Sequence, residues 1–250
     1  MKNNTLAIFA LAFFALVGCQ SERAELPAQG CGYVDFSCQV LPEAEVRAEL
    51  NVTKPDQSEF SLQITGTEYD EQWDRLADYN VKENRMDQGA YTAYVAWGDP
   101  TQEGENLPYY TGQADFTILP LQTIQVPISA TIANSVVKVL FTENFLRYFH
   151  DEEAVLTSAA GNEFTFTSAD ADRMIFVAPG EFRLNASAFK QTGDAFQIPE
   201  QKRTATAGTL HVIKFDLSTA GTAQVTITLN DKLLEGITIN QELNPDSETL

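Results

Sequence analysis

The segment Gly89-Ala90-Tyr91-Thr92-Ala93-Tyr94-Val95-Ala96-Trp97, which reads GAYTAYVAW, alternates between two sets of side chains along its whole length. Tyr91, Ala93, Val95 and Trp97 form one of these sets. Successive side chains of a β-strand point to opposite faces of the sheet, so this period of two predicts a strand with one buried face. Trp97 continues the apolar set and is expected to face the core.

The same period recurs in short runs that are separated by Gly, Pro, Asn and Asp. The clearest further runs are Ile124-Val126-Ile128, Val137-Val139-Phe141 and Val225-Ile227-Leu229. Antiparallel sheets with one face in water give this pattern, so the predicted class is all-β. Pro127 interrupts one run and predicts a strand at a sheet edge or with a bulge. Helical turns are compatible with residues 70–79 and with residues 142–151, where Thr142 can cap the run FLRYF.

GAYTAYVAW has a counterpart in GEFRLNASA, residues 180–188. Gly89 then falls on Gly180, and the same offset through the next loop places Leu107-Pro108 over Ile198-Pro199. Runs of matching pattern follow in both halves. Self-similarity of this kind predicts two copies of one structural unit.

The spacing of the strands favours two tandem Greek-key β-sandwich domains of the immunoglobulin or transthyretin-like type. The first domain is predicted at residues 32–133 and the second at residues 134–243. The polar tail NPDSETL follows at residues 244–250. The runs TAQVTITL and GITIN near the end of the chain are compatible with a terminal hairpin. The favoured interpretation is that they complete the second sandwich.

The N-terminus, MKNNTLAIFALAFFALVGC, joins a basic residue to an apolar run that is short for a membrane span. Its end, LVGC, resembles the lipobox of bacterial lipoprotein signal peptides. The resemblance implies a signal peptide at residues 1–18 and a diacylglycerol on the sulfur of Cys19, which anchors the chain to a membrane. Residues 19–31 are predicted to form the lipidated cysteine and a flexible tether. No cofactor is expected besides this lipid.

The chain carries 35 acidic and 16 basic residues, which gives a formal net charge of −19 at pH 7. Such a surface repels phosphate backbones and anionic membranes, so nucleic acid is not an expected partner. Solubility outside the cytoplasm explains the charge without any ligand.

Cys31 and Cys38 are the two cysteines after the lipobox. A continuous strand would hold them about 20 Å apart, beyond disulfide reach, so a bridge between them requires a bend. The sequence leaves this pairing open. In a strand at residues 32–40, Cys38 shares a face with Val34, Phe36 and Val40 and is expected to be a small buried hydrophobe.

Several scattered motifs carry a family resemblance. They are the lipobox, the QW of EQWDRL, GAYTAYVAWGD, PYYTG, SVVKVLF and the turn VAPGEF. Together they resemble lipoproteins of Bacteroidota that carry a two-part all-β domain of unknown function. More loosely, the chain is similar to fimbrillin-like pilin and adhesin subunits, which are also lipoprotein precursors built from two tandem β-sandwiches.

In such pilins, cleavage after a basic residue removes the first strand and opens a groove for a donor strand from the next subunit. The resemblance implies Arg47, in the segment EAEVRAEL, as the candidate processing site. The alternative for Arg47 is an ordinary solvated charge.

Signatures of catalysis and of metal binding are missing from the sequence. It contains no Gly-x-Ser-x-Gly elbow, no phosphate-binding glycine loop and no His-Glu-x-x-His motif. His150 ends an aromatic run, and His211 lies beside apolar neighbours in TLHVIKFDL, where a packed and hydrogen-bonded histidine is expected. The acidic clusters HDEEA and SADAD lack the calcium-loop pattern. We therefore predict that the protein is not an enzyme and holds no metal.

The segment GDPTQEGENLPYYTG, residues 98–112, is the best candidate for a ligand site. Its tyrosines offer flat faces to a sugar ring, and its carboxylates can bind the hydroxyls. The predicted contacts are Asp99, Glu103, Glu105, Tyr109 and Tyr110. The alternative is a plain connection between two strands, in which one of the adjacent tyrosines packs against the core.

The sequence as a whole predicts a non-enzymatic lipoprotein of the cell envelope, anchored in the outer membrane and displayed at the cell surface. The leading role is adhesive or structural, of the fimbrillin-like kind. The alternative is a glycan-binding module for nutrient capture at the outer membrane. The expected partners are the membrane, through the lipid anchor, and a surface protein or glycan.

Overall fold

The computed structural model describes residues 30–40, 55–217, 225–233 and 238–241, the last two ranges by their backbone. These ranges contain sixteen strands, one α-helix, α1 (Glu143–Tyr148), and three short 3-10 turns. The first seven strands are β1 (Cys31–Val40), β2 (Ser61–Gly66), β3 (Asp70–Trp73), β4 (Met86–Asp87), β5 (Gly89–Trp97), β6 (Tyr110–Ile118) and β7 (Thr123–Ile132). The other nine are β8 (Ser135–Phe141), β9 (Phe149–Thr157), β10 (Glu163–Phe166), β11 (Ile175–Val177), β12 (Gly180–Lys190), β13 (Ala195–Ala205), β14 (Thr209–Leu217), β15 (Val225–Leu233) and β16 (Thr238–Gln241).

The strands form three sheets, and we call β1–β7 the N-terminal unit and β8–β16, with α1, the C-terminal unit. The N-terminal unit has one sheet in the order β3-β2-β5-β6-β7-β1-β4. The C-terminal unit has a sheet β10-β9-β12-β13 and a sheet β11-β8-β14-β15-β16, whose apolar side chains form one buried cluster. The predicted all-β sandwich class is confirmed, while the number and boundaries of the domains stay predictions.

The two units repeat the same strand pairings. β1 is antiparallel to β4 and parallel to β7, just as β8 is antiparallel to β11 and parallel to β14. β2 lies between β3 and β5, just as β9 lies between β10 and β12. β5 and β12 therefore occupy equivalent places, as their sequence similarity predicts. The units differ on the far side of the equivalent strands β7 and β14. β14 pairs with β15, which pairs with β16, whereas β7 pairs with β6 through three residue pairs.

Other local predictions have mixed outcomes. Pro127 pairs with Ser37 of β1, and β6 reaches β7 only at residues 130–132, so β7 is a sheet edge at Pro127 within the described chain. The hydroxyl of Thr142 caps α1 by accepting the Phe145 N–H at 3.2 Å, as predicted. Residues 70–79 instead begin with β3, and only Leu76–Asp78 forms a 3-10 turn.

The extension of the sequence alignment into the following loops is wrong. β12 and β13 are joined by a tight turn in which the Lys190 N–H donates to the Asp194 carbonyl at 2.8 Å. Ile198-Pro199 lies inside β13, at the edge of its sheet, where a proline costs no ladder hydrogen bond. The long connection at residues 98–109 therefore belongs to the N-terminal unit alone.

Two clusters of buried apolar side chains form the core. The second cluster lies inside the C-terminal unit. The first fills the N-terminal unit, includes Cys38, and is packed by Trp97, as predicted for both residues. It also contains Val136, Phe176 and Leu210 of the C-terminal unit, each without solvent exposure. Apolar packing is thus continuous between the units.

Strand directions place the units end to end. At one end, which we call the near end, the described chain begins, and the Leu121 N–H donates to the Cys31 carbonyl at 2.7 Å. The opposite end of the N-terminal unit meets the start of β8 and β14, where the Gly208 N–H donates to the Asn134 carbonyl at 3.0 Å. We call this contact the junction. From it β8 runs to α1 at the far end, where the turn after β12 also lies.

α1 has six residues. No helix in the described ranges combines the length and the apolarity that crossing a bilayer requires.

Candidate functional site

Residues 98–109, the predicted ligand loop, connect β5 to β6 at the junction. Gly98 begins the loop with φ +97°, and a Cβ at this position would lie 2.4 Å from the Pro108 carbonyl oxygen. The two arms of the loop approach so closely that glycine is required.

Asp99 closes the first turn of the loop. Its Oδ1 accepts the Thr101 N–H at 2.8 Å and the Thr101 hydroxyl at 2.6 Å, and its Oδ2 accepts the Gln102 side-chain amide at 3.0 Å. The Thr101 hydroxyl, followed by the Thr101 N–H, lowers the pKa of Asp99. The carboxylate is exposed, and these bonds remain within the loop.

Glu103 reaches across the junction to the C-terminal unit. Its Oε2 accepts the Ser158 hydroxyl at 2.5 Å and the Asn162 side-chain amide at 2.9 Å, and its Oε1 accepts the Ala178 N–H at 2.7 Å. Hydrogen bonds to an ionised acceptor are about twice as strong as neutral ones. Glu103 is therefore a strong polar link between the units.

A short stretch of shared backbone pairing follows. The Gly104 N–H donates to the Phe176 carbonyl at 2.9 Å, and the Phe176 N–H donates back to the Gly104 carbonyl at 2.8 Å. Phe176 belongs to β11 and also packs into the N-terminal core cluster. Main-chain pairing and apolar packing therefore meet at one residue.

Glu105 makes an ion pair across the same contact. Its Oε1 accepts the Arg173 Nε–H at 2.7 Å. Residues of the C-terminal unit fix the position of Arg173. Its Nη1 donates to the Thr165 carbonyl at 2.6 Å, and its guanidinium lies 5.3 Å from the centroid of the Phe166 ring. The pair is half-exposed, so its contribution is smaller than that of Glu103.

The two tyrosines have different surroundings. Tyr110 begins β6 with 4% exposure and packs edge-on against Trp97, so it is the packed member of the pair. Tyr109 is half-buried, and its hydroxyl lies 3.1 Å from the Tyr94 hydroxyl. Burial and this hydrogen bond raise the pKa of Tyr109 to about 12. The Tyr109 N–H donates to the Asn134 side-chain carbonyl at 3.2 Å.

The five predicted contact residues are thus gathered at the junction. Glu103 and Glu105 face donors of the other unit, whereas Asp99 is bonded within the loop. Their role in contacting a ligand stays a prediction. Sequence reasoning missed their partners, which are Asn134, Ser158, Asn162, Arg173 and Ala178.

Asn134 is the one missed residue with a usable signal, because it lies at the predicted domain boundary. Its side-chain amide donates to the Leu107 carbonyl at 2.9 Å, and the residue is buried. The other partners are ordinary turn and strand-end residues, whose position beside the loop follows from long-range packing.

The remaining sequence predictions fall elsewhere. Cys19 and Arg47 lie outside the described residues. His211 is buried, and its Nε2 accepts the Thr206 N–H at 3.1 Å, as expected of a packed histidine. The Nδ1 of His150 lies 2.9 Å from the Asp151 carboxylate. Across the parts of the chain that the structure describes, no three His, Cys, Asp or Glu side chains converge to hold a metal ion.

The question left open for Cys31 and Cys38 is resolved by β1. Both residues lie on this continuous ten-residue strand, so they stay about 20 Å apart, as expected of a continuous strand, and cannot bridge each other. The Cys31 thiol donates to the Asp87 carboxylate at 2.9 Å, and this hydrogen bond raises the pKa of the thiol.

The profile of a domain of unknown function, DUF4493, matches residues 30–245. The chain belongs to the DUF4493 family. The predicted resemblance to a family with an all-β domain of unknown function is thereby confirmed. A comparison of this DUF4493 protein with curated proteins found no match.

Solved structures similar to this DUF4493 protein come from species of Parabacteroides and Bacteroides. A candidate cell adhesion protein of Parabacteroides distasonis is 7% identical, with 83% of this chain and 100% of that chain covered and a TM-score of 0.50. A candidate cell adhesion protein of Bacteroides eggerthii is 8% identical, with 84% and 98% covered and a TM-score of 0.47. A fimbrial assembly protein of Parabacteroides distasonis is 8% identical, with 84% and 97% covered and a TM-score of 0.43. At such identity, the first of these likenesses shows a shared fold alone.

Proposed function

We propose that this DUF4493 protein is a non-enzymatic surface lipoprotein with an adhesive or structural role. The observation that carries the proposal is the end-to-end arrangement of two units that are fastened at the junction. The described chain begins at the near end, so a tether that arrives there leaves the far end pointing away from its attachment point.

The proposed attachment is a diacylglycerol on Cys19, held in the outer membrane. The eleven Cα–Cα steps from Cys19 to Gly30 can span at most about 40 Å when extended. Such a tether keeps the near end close to the headgroups while the units project outward. The exposed Leu119 and Leu121 side chains lie at this same near end, beside Cys31.

Fractionation of cells that express the chain tests the anchor. The unchanged protein is expected in the membrane fraction and is expected to be cleaved by protease added to intact cells. Cys19→Ser should move the protein to the soluble fraction, whereas Cys31→Ser, which keeps a donor for Asp87, should not. Retention of Cys19→Ser in the membrane fraction would contradict the proposal.

A subunit role in a polymer is a second candidate, and the position of β1 favours it. β1 pairs with β7 over eight residues and contributes Val34, Cys38 and Val40 to the core. Cleavage after Arg47 and loss of β1 would therefore leave a groove along β7 that a donor strand could fill.

Limited digestion with a trypsin-like protease tests this assembly role. Nicking after Arg47 should produce a ladder of oligomers, and Arg47→Ala should remain monomeric under the same digestion. Nicked chains that stay monomeric would exclude assembly by this route. Glycan capture at residues 98–112 is a weaker proposal, because Glu103 and Glu105 already have partners in the other unit.

A further inference from the structure

Among residues 30–40 and 55–217, whose side chains the structure describes, large exposed apolar side chains are confined to the two ends. They are Leu119 at 43%, Leu121 at 61%, Tyr148 at 45% and Phe189 at 42% exposure. The two leucines lie at the near end, and the two aromatic residues lie at the far end. The far end thus combines ring faces with a position remote from the point where the chain enters.

Phe189 occupies a place that its strand otherwise gives to polar residues. The outward side chains of β12 are Glu181, Arg183, Asn185 and Ser187, and Phe189 continues this outward series. A single exposed apolar side chain is ordinary on a protein surface, whereas a patch of several is informative. The residues around Phe189 therefore decide whether this position has a use on the surface.

A β-bulge brings a second ring beside Phe189. The register between β12 and β9 shifts between Ser187 and Phe189, and Asp151 has φ +49° on the opposing strand. The bulge leaves His150 directly across from Phe189, with the rings stacked at 5.9 Å and an interplanar angle of 18°. Bulges of this kind re-aim side chains and are common beside functional sites.

Polar residues adjoin this pair of rings along the chain. The Asp151 carboxylate contacts the Nδ1 of His150, which leaves the second ring nitrogen for another partner. The Gln191 N–H donates to the Tyr148 carbonyl at 3.0 Å, so Tyr148 lies beside the turn that follows Phe189. We call Tyr148, His150 and Phe189, with Asp151 and Gln191, the far-end aromatic surface.

We propose that the far-end aromatic surface binds a neutral carbohydrate. Flat rings cover the apolar face of a sugar, and an imidazole, a carboxylate and an amide bind its hydroxyls. The net charge of −19 disfavours acidic glycans. The proposal names a class of partner for the proposed adhesive role. It rests on that role, because the proposed attachment at the near end is what makes the far end face outward.

Affinity electrophoresis of the full mature chain carrying Cys19→Ser, in gels with neutral or acidic polysaccharides, tests the proposal. Neutral polysaccharides should retard the protein, and acidic ones should not. Phe189→Ala and Tyr148→Ala should each weaken the retardation about tenfold. Both side chains are exposed, so the variants should fold, which circular dichroism checks.

Leu121→Ala is the matched control, because it removes an exposed apolar side chain at the opposite end. The proposal is supported if neutral polysaccharide still retards Leu121→Ala but retards Phe189→Ala less than the unchanged protein. The proposal is overturned by absence of retardation, by equal loss in Leu121→Ala, or by binding of a surface protein in place of glycan. Cell fractionation tests the lipid anchor independently of carbohydrate binding. The proposed surface lipoprotein and the proposed carbohydrate site can therefore fail separately.

Discussion

At the scale of single residues, Glu103 and Glu105 are a matched pair for testing the junction. Glu103 accepts three hydrogen bonds from the other unit, whereas Glu105 makes one ion pair with 53% of its side chain exposed. Glu103→Ala should lower the free energy of unfolding by about 2–3 kcal/mol, because the buried Ser158 hydroxyl and the part-buried Ala178 N–H lose a charged acceptor. Glu105→Ala should lower it by less than about 1 kcal/mol.

Urea denaturation of both variants measures the difference. Glu103→Gln separates charge from shape, because its amide keeps one acceptor oxygen and should give an intermediate loss. Equal losses for Glu103→Ala and Glu105→Ala would mean that the loop docks through its backbone and not through Glu103.

At the scale of elements, the connection between β5 and β6 differs from its counterpart between β12 and β13. Gly98 and Gly193 hold similar backbone positions in the two connections, with φ of +97° and +93°. A Cβ on Gly193 meets nothing within 4 Å, whereas a Cβ on Gly98 meets the Pro108 carbonyl oxygen at 2.4 Å. Gly193→Ala should therefore cost about 1–2 kcal/mol of stability, the usual cost of a left-handed residue.

Gly98→Ala should cost a further ~1–3 kcal/mol, because the two arms of the loop must separate to admit the methyl group. Thermal unfolding of the two variants gives the comparison. Similar losses at both positions would show that the loop relaxes freely and does not depend on this close approach.

Elements were predictable where the signal is local. The period of two in β5 predicts a strand and places Trp97 on its buried side, and Thr142 predicts the start of α1. Each of these predictions depends only on residues that are close in the sequence. The alignment fails in the loop because β12 extends to residue 190 by pairing with distant β9, and β13 then pairs with β12. The partners of Glu103 lie 55 to 75 residues away in the sequence, so no local pattern could reveal them.

At the scale of the whole molecule, the two units share packing as well as polar links. Phe176 illustrates this, since it pairs with Gly104 through its backbone and packs in the N-terminal core cluster. The second core cluster belongs to the C-terminal unit alone. The C-terminal unit thus has a core of its own, while the N-terminal core is completed by residues of its neighbour.

This asymmetry predicts one cooperative unfolding transition that the loop maintains. Both tryptophans, Trp73 and Trp97, lie in the N-terminal unit, so their fluorescence reports on that unit, whereas far-ultraviolet circular dichroism reports on all strands. In the unchanged protein the two signals should share one urea midpoint.

Replacing residues 98–109 with the turn Gln191-Thr192-Gly193-Asp194 removes the links of Glu103, Gly104 and Glu105.

In that variant the fluorescence midpoint should fall below the main dichroism midpoint, because the N-terminal unit loses its links and the C-terminal unit keeps its own core. Midpoints are the quantity to compare, since Trp97 adjoins the replaced loop and its amplitude changes directly. Gly193→Ala, which alters the other connection, should leave the two midpoints together. If the midpoints of the loop variant also coincide, the apolar contacts of Val136, Phe176 and Leu210 suffice to couple the units.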